Sequence, residues 1–375
     1  MPMASAQEAA LVQGKPVYGA NHLLEVVQSL RALAGQDAGS APWQRMEAGA
    51  AVPLAHSSLD LSDMRGQTAA KRVLEVAASG GHSLLLMGSP GSGKSMLAHR
   101  LSGLLPDLTH QQALQSASVL SLAGQFDAAR FGQRQTRVPH HTASAMALVG
   151  GGSTPRPGEI SLAHHGVLFL DEFPEFSRSA LEALREPLES GCITVSRSRG
   201  QTRFPAHFQL IAAMNPCPCG HLGSSLKACR CTPEQVQRYQ SRVSGPLLDR
   251  IDLQWVVHSL PPQELIGGHI EKSETSAQVR ERVKRAQAFA LERQGCLNEG
   301  LQATDAEKHC HLDEAGTDFV RRAAQRLGWS SRATHRVLKV ARTLADMAGT
   351  PHVGVPHLAE AIQYRRALSS AGAGH

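Results

Sequence analysis

Apolar positions along the chain follow two patterns, short near-continuous runs and longer stretches that repeat every three to four residues. The runs are Ser83-Leu-Leu-Leu-Met87, Gly166-Val-Leu-Phe-Leu170 and Phe208-Gln-Leu-Ile-Ala-Ala-Met214, with a shorter one at Trp255-Val-Val257. Runs of about four to eight apolar residues without alternation read as strands buried on both faces, as in a parallel sheet. Between them the period becomes helical. Leu97, Leu101, Leu104 and Leu105 recur at i, i+4, i+7 and i+8, and Ala69, Val73, Val76 and Ala77 share one face of a helix predicted over 68–79. Helices are also predicted over 22–33, 110–124 and 179–190. The last carries Leu181, Leu184 and Leu188 on one face, Ser179-x-x-Glu182 as a capping box and Gly191 as its stop. Beyond Pro261-Pro262 the pattern is helical throughout, over 277–293, 313–327, 332–347 and 355–366.

Strands alternating with helices predict an α/β fold, and the terminal run of helices predicts a lid over it. Residues 1–57 offer one helix and a Gly/Ala/Ser/Pro-rich linker, 58–262 the α/β core, and 263–375 the helical lid. A lone helix cannot bury its own face, so the N-terminal segment reads as the tail of something missing or as an element docked on the core. Two strand-like runs, 193–197 and 202–206, flank Ser198-Arg-Gly-Gln201 and predict a hairpin. Arg197, Arg199 and Arg203 make it basic, suited to a phosphate backbone or simply to solvent.

Composition changes this picture little. The chain has 375 residues, 42% hydrophobic, with a net charge of +6, which permits a polyanionic partner without requiring one. No apolar stretch is long enough for a membrane span and the N-terminus lacks the pattern of a secretory signal, so a cytoplasmic location is expected. Seven cysteines in such a chain predict thiols or a metal site rather than a disulfide framework.

The candidate chemistry sits where the predicted strands end. Gly88, Ser89, Pro90, Gly91, Ser92, Gly93, Lys94 and Ser95 lie between a strand and a helix, the order a phosphate-binding loop requires. The glycines let backbone N–H groups converge on phosphate oxygens, at a helix N-terminus that favours negative charge. Lys94 suits the β- and γ-phosphates and the Ser95 hydroxyl suits Mg²⁺, so ATP and Mg²⁺ are the expected cofactors. Asp171 and Glu172 end the next strand, the first suited to Mg²⁺ and the second to polarising an attacking water. Asn215 ends the strand after that. It could orient the same water, or it could only start a turn with Pro216. Arg250, between two aspartates, reads locally as a salt-bridged surface arginine. Cys217-x-Cys219 and Cys229-x-Cys231 could enclose a tetrahedral Zn²⁺, or stand as free thiols on an insertion loop. His140 and His141 are adjacent and suit solvent or phosphate contacts better than a shared ion.

The order of these features is that of AAA+ ATPases, and a closer likeness is carried by particular runs. Gly66-Gln67, His82, Gly88 to Ser95, Pro139-His-His-Thr142, Gly150-Gly-Gly152, Pro157-Gly-Glu-Ile-Ser-Leu-Ala163, Arg185-Glu-Pro-Leu-Glu189, Asn215-Pro-Cys-Pro-Cys-Gly220, Cys231-Thr-Pro-Glu234 and Leu247-Leu-Asp-Arg-Ile-Asp-Leu253 resemble the magnesium-chelatase-like AAA+ proteins of the ComM/YifB family. Arg332-Ala-Thr-His-Arg336 is similar to the family's C-terminal domain. The resemblance covers residues 58–368.

It implies a ring, a hexamer by expectation, that moves on single-stranded or branched DNA during recombination or DNA uptake. It implies Lys94 and Ser95 as Walker A, Asp171 and Glu172 as Walker B, Asn215 as sensor 1, Arg250 as the finger reaching a neighbour's γ-phosphate, and Arg332 as sensor 2. The hairpin of 193–206 then matches the pore-lining hairpin of helicase relatives, which strengthens the DNA reading of Arg197, Arg199 and Arg203. Family members carry a further N-terminal domain, of which this chain is expected to hold only the last helix. Arg134-Gln-Thr-Arg137 stands where relatives tend to have an Arg-Pro-Phe-Arg-like run. The alternatives are the ATPase subunit of a metal-insertion chelatase and a chaperone-like nucleotide-dependent binding protein.

Overall fold

A computed structural model describes residues 1–12, 16–35, 41–46, 59–152, 154–197, 200–224, 227–260 and 273–365. They belong to two compact units, Met1–Ala55 with Leu108–Gln133, and His56–Asp107 with Arg134–His375.

The second unit is built on five parallel strands, β1 (Leu84–Met87), β2 (Thr136–Arg137), β3 (Val167–Leu170), β4 (Gln209–Met214) and β5 (Leu253–Val256). Their spatial order is β5-β1-β4-β3-β2. β4 therefore lies between β1 and β3, with Ala212 level with Leu85 on one side and Leu170 on the other. All residues of β1, β3 and β4 are buried. The reason is the alternation of a strand's side chains between two covered faces. Leu84, Leu86, Val167, Phe169, Ile211 and Ala213 join one core cluster, while Leu85, Met87, Leu168, Leu170, Leu210 and Ala212 join another. With both faces apolar, the sequence shows unbroken runs.

The first cluster includes helix α1 (Thr68–Gly80) through Val73, Leu74 and Val76, and α2 (Lys94–Leu101) through Leu97 and Leu101. The segment predicted as one helix over 179–190 is two, α3 (Arg178–Glu182) and α4 (Arg185–Ser190). Pro187 explains the break: its ring clashes with the carbonyl four residues earlier, at Ala183, where the helix is interrupted. The cap is Ser177, whose hydroxyl accepts from the Ala180 N–H, rather than Ser179. Gly191 ends the segment in the left-handed region, as its sequence position predicts.

The C-terminal helices are α5 (Ser276–Gln294), α6 (Ala303–Cys310), α7 (Glu314–Leu327), α8 (Ser331–Met347) and α9 (Val355–Gln363). Val283, Val337, Val340, Leu344 and Leu358 enter the same apolar cluster as β1 and α1. A buried polar network seals the join. Asp252, 1% exposed, accepts from the Ser83 N–H at 3.1 Å, from the Ser83 hydroxyl at 3.0 Å and from Arg336 of α8. The His82 ring lies 3.6 Å from the same carboxylate and contacts Thr343 of α8 at 2.7 Å. Burial alone would raise the Asp252 carboxyl, but Arg336, His82 and Lys339 outweigh it and hold it far below the usual carboxylate range. The boundaries expected at 57/58 and 262/263 lie outside the described residues, as does Pro261-Pro262.

The hairpin pairs Cys192–Arg197 with Gly200–Pro205, antiparallel, up to Arg197 opposite Gly200. Ile193, Val195 and Phe204 anchor it in the second apolar cluster, and Arg203 is exposed. Arg199 and the Arg197 side chain lie outside the described residues.

In the first unit, the predicted helix is present as Leu23–Leu33, but it is not alone. A helix at Met3–Ala10 and an antiparallel pair, Val17–Gly19 with Gln44–Met46, accompany it. Residues Leu108–Gln133, with the helix His110–Leu122, also belong to this unit. Most of the linker expected before Pro53 lies outside the described residues.

Candidate nucleotide site

Because β1, β3 and β4 are neighbours and parallel, their C-terminal ends meet at one edge of the sheet, where open α/β sheets bind ligands. β1 is followed by Gly88, whose N–H donates to the Met214 carbonyl at 3.2 Å. The loop turns through Gly93, at φ +95°, a conformation that side chains resist, and α2 begins at Lys94. The Gln67 amide clamps the loop from outside, donating to the carbonyls of Ser92 at 3.2 Å and His258 at 2.7 Å.

Lys94 is 8% exposed and donates to the carbonyls of Gly88 at 2.8 Å and Ser89 at 3.0 Å and to Asn215 Oδ1 at 3.2 Å. Burial draws its ammonium below the usual lysine value, while Asp171 acts the other way. These three partners are neutral oxygens, so the cation suits an anionic ligand such as a triphosphate. The Ser95 hydroxyl donates to Asp171 Oδ2 at 2.7 Å, placing a hydroxyl and a carboxylate side by side at the start of α2. That oxygen donor set suits Mg²⁺.

Glu172 occupies the left-handed region, φ +53°, the kind of strain that gathers at functional positions. Its N–H donates to Asp171 Oδ1 at 2.9 Å, and its carboxylate, more than half exposed, meets His141 Nδ1 at 2.8 Å. His141 is therefore the partner of an acid.

Arg250 departs from its local sequence reading. It is 5% exposed, donates from Nη1 to the Pro246 carbonyl at 2.7 Å and ion-pairs through Nη2 with Glu189 Oε1 at 2.7 Å. Arg332, at the start of α8, reaches the same oxygen at 2.9 Å. Glu189 thus holds both arginines, and Arg250 foremost keeps its carboxyl below the usual glutamate range. Sequence reasoning assigned no role to Glu189, Asp252 or Arg336, and did not foresee the contact between His141 and Glu172. For Arg336 a signal existed: it follows Arg332 by one helical turn.

Cys217, Cys219, Cys229 and Cys231 come together on the loop after Asn215, their sulfurs all within 4.8 Å of one another. All seven cysteines are free.

A phosphate loop, an acid-ended strand two places away and an asparagine-ended strand between them, followed by a helical region, define a P-loop ATPase of the AAA+ class. The family described as magnesium chelatase, subunit ChlI, matches residues 60–265, and its C-terminal domain matches 273–365. The chain is 48% identical to the competence protein ComM of Haemophilus influenzae over 96% of its own length and 70% of that protein's. To YifB of Salmonella typhimurium it is 47% identical, over 96% of its own length and 69% of the relative's. Half of the chain (49%) is 25% identical to 22% of the DNA replication licensing factor mcm7-B of Xenopus laevis. The chain belongs to the ComM/YifB family of magnesium-chelatase-like AAA+ ATPases. Among its described residues no helix is long and apolar enough to cross a membrane.

Proposed function

We propose that the protein is a Mg²⁺-dependent ATPase that assembles into a ring, a hexamer in this reading, and couples hydrolysis to movement on single-stranded or branched DNA in the cytoplasm. The convergence of Lys94, Ser95, Asp171 and Asn215 at one sheet edge carries the ATPase part. In this reading residues 88–95 cradle the phosphates, and Ser95 and Asp171 hold Mg²⁺, which supplies charge neutralisation of the phosphates. Glu172 accepts the proton of the attacking water, with His141 holding its carboxylate in place. Asn215 orients that water. Arg332 and Arg250 contribute positive charge, Arg250 from the neighbouring protomer. In a lone chain both are engaged by Glu189, so assembly exchanges that carboxylate for phosphate. The division into an N-terminal segment to residue 57, a core of 58–262 and a lid of 263–375 belongs to the same proposal.

The DNA part is supported by the similarity to a replication licensing factor and by the basic hairpin, whose Arg203 is exposed. The test is ATP hydrolysis by the purified protein with and without single-stranded and branched DNA, using Glu172→Gln as the inactive control. Stimulation by DNA is expected. A rate indifferent to every DNA would favour a chelatase or chaperone-like role for the same ATPase.

A further inference from the structure

We infer that Cys217, Cys219, Cys229 and Cys231 form a closed, structural Zn²⁺ centre that staples the loop carrying Asn215 against the phosphate loop. Cys217 and Cys219 sulfurs are 3.4 Å apart, and Cys229 lies 3.6 Å from each. Four thiolates around one zinc at about 2.3 Å would stand about 3.8 Å apart; the three separations among Cys217, Cys219 and Cys229 lie within a few tenths of an ångström of that, and the Cys231 sulfur is within 4.8 Å of the others. Sulfurs so close leave room for a single ion and not for a cluster. With four sulfurs there is no open position for substrate, which makes the centre structural rather than catalytic.

Backbone N–H groups are already turned on the sulfurs. Leu222 donates to Cys217 Sγ and Cys231 to Cys229 Sγ, each at 3.4 Å. The N–H groups of Arg230 and His221 also turn on the Cys219 sulfur. Such donors stabilise thiolates and orient metal ligands from behind.

The loop also needs a staple. From His221 to Thr232 no described residue is buried, so apolar packing does not hold it. The chain beyond the loop returns to its start through the far end of the next helix. The Gln240 amide, at the end of the helix Pro233–Gln240, donates to the Pro216 carbonyl at 2.9 Å. Gly220 sits where an added Cβ would be 2.5 Å from Pro90 Cδ, so the knuckle lies directly against the phosphate loop. A metal binding free energy spent on ordering this loop is spent on the position of Asn215.

The inference stands apart from the DNA reading and is tested on the full chain by metal content. Elemental analysis of protein from zinc-replete cells should find about one zinc per chain, released when a mercurial titrates the thiols. Replacement by Co²⁺ should give the intense tetrahedral bands and thiolate charge-transfer absorption of an S₄ site. Cys229→Ser should cut bound zinc at least fivefold, and Cys296→Ser should leave it unchanged. Should the Cys229 variant fail to fold, the mercurial titration and cobalt spectrum of the unaltered protein still decide the matter. Protein that holds no zinc and cannot be loaded, or one whose four cysteines are recovered as disulfides under reducing purification, overturns the inference.

Discussion

Replacing Asp252 by Asn tests how the helical region is fixed to the sheet. The carboxylate is 1% exposed and accepts from Ser83 twice and from Arg336, with the His82 ring 3.6 Å away. An amide keeps the shape but loses the charge, and it turns a donor towards groups that are themselves donors. Removing one member of a buried ion pair costs about 3–5 kcal/mol, because the other is left uncompensated. At roughly 2–4 °C per kcal/mol for a domain of 150–250 residues, the melting temperature should fall by about 6–20 °C. Thermal and urea unfolding followed by circular dichroism would measure it, with Glu281→Gln as the control. Glu281 is 63% exposed and pairs with Lys284 on one helix face, so its loss should cost under about 1 kcal/mol. The sign with pH follows from the depressed carboxyl. Asp252 contributes fully above its unfolded value of about 3.9, and the contribution is lost as pH falls below that, so the variant and the unaltered protein should converge in acid. Turnover should fall as well, since Arg336 lies one turn from Arg332 on α8. If Asp252→Asn is no less stable than Glu281→Gln at neutral pH, the reasoning about the join is wrong.

Three further outcomes follow from the site. Glu172→Gln should lower kcat by about 10²–10⁴, the usual worth of a general base, while ATP affinity measured by calorimetry changes little; equal loss of both would place Glu172 in binding instead. Glu189→Gln frees Arg250 and Arg332 from the carboxylate, and because Arg250 is 5% exposed and loses a charged partner, the stability cost should be about 1–3 kcal/mol. The same change should lower the protein concentration at which ATPase activity appears; an unchanged concentration dependence argues against competition between Glu189 and phosphate. Replacing Arg197, Arg199 and Arg203 together by Ala should reduce the salt dependence of DNA binding by up to about three phosphate contacts, with basal ATPase retained. An unaltered slope would remove the hairpin from the DNA path.

How much of this was legible in the sequence depended on how local each signal was. The phosphate loop, β1, β3 and β4 were readable because burial on both faces makes an unbroken apolar run. The helix over 179–190 misled because Leu181, Leu184 and Leu188 keep the helical period across a break that one proline imposes. β2 is two residues long, too short for any period to register. Arg250 looked like a surface arginine since nothing adjacent in sequence shows Glu189 approaching from 61 positions earlier in the numbering. Asp252 was hidden for the same reason: its partners come from residues 82–83 and 336. Four cysteines with spacing tighter than the familiar C-x-x-C left both metal and free thiols open, with the thiols favoured, and only the folded loop brings the sulfurs together. The grouping of 108–133 with the N-terminal segment, from which 56–107 separate it in the chain, leaves no periodic trace.

The claim that most of the account rests on is an active site completed by a neighbouring protomer. Lys94→Ala and Arg250→Ala should each abolish ATP hydrolysis when purified alone, the second while still binding ATP. Co-expressed as mixed oligomers, they should recover roughly a quarter of the unaltered rate, the fraction of interfaces that unite an intact loop with an intact arginine. Mixed oligomers that copurify and yet stay at the level of either variant alone would contradict it.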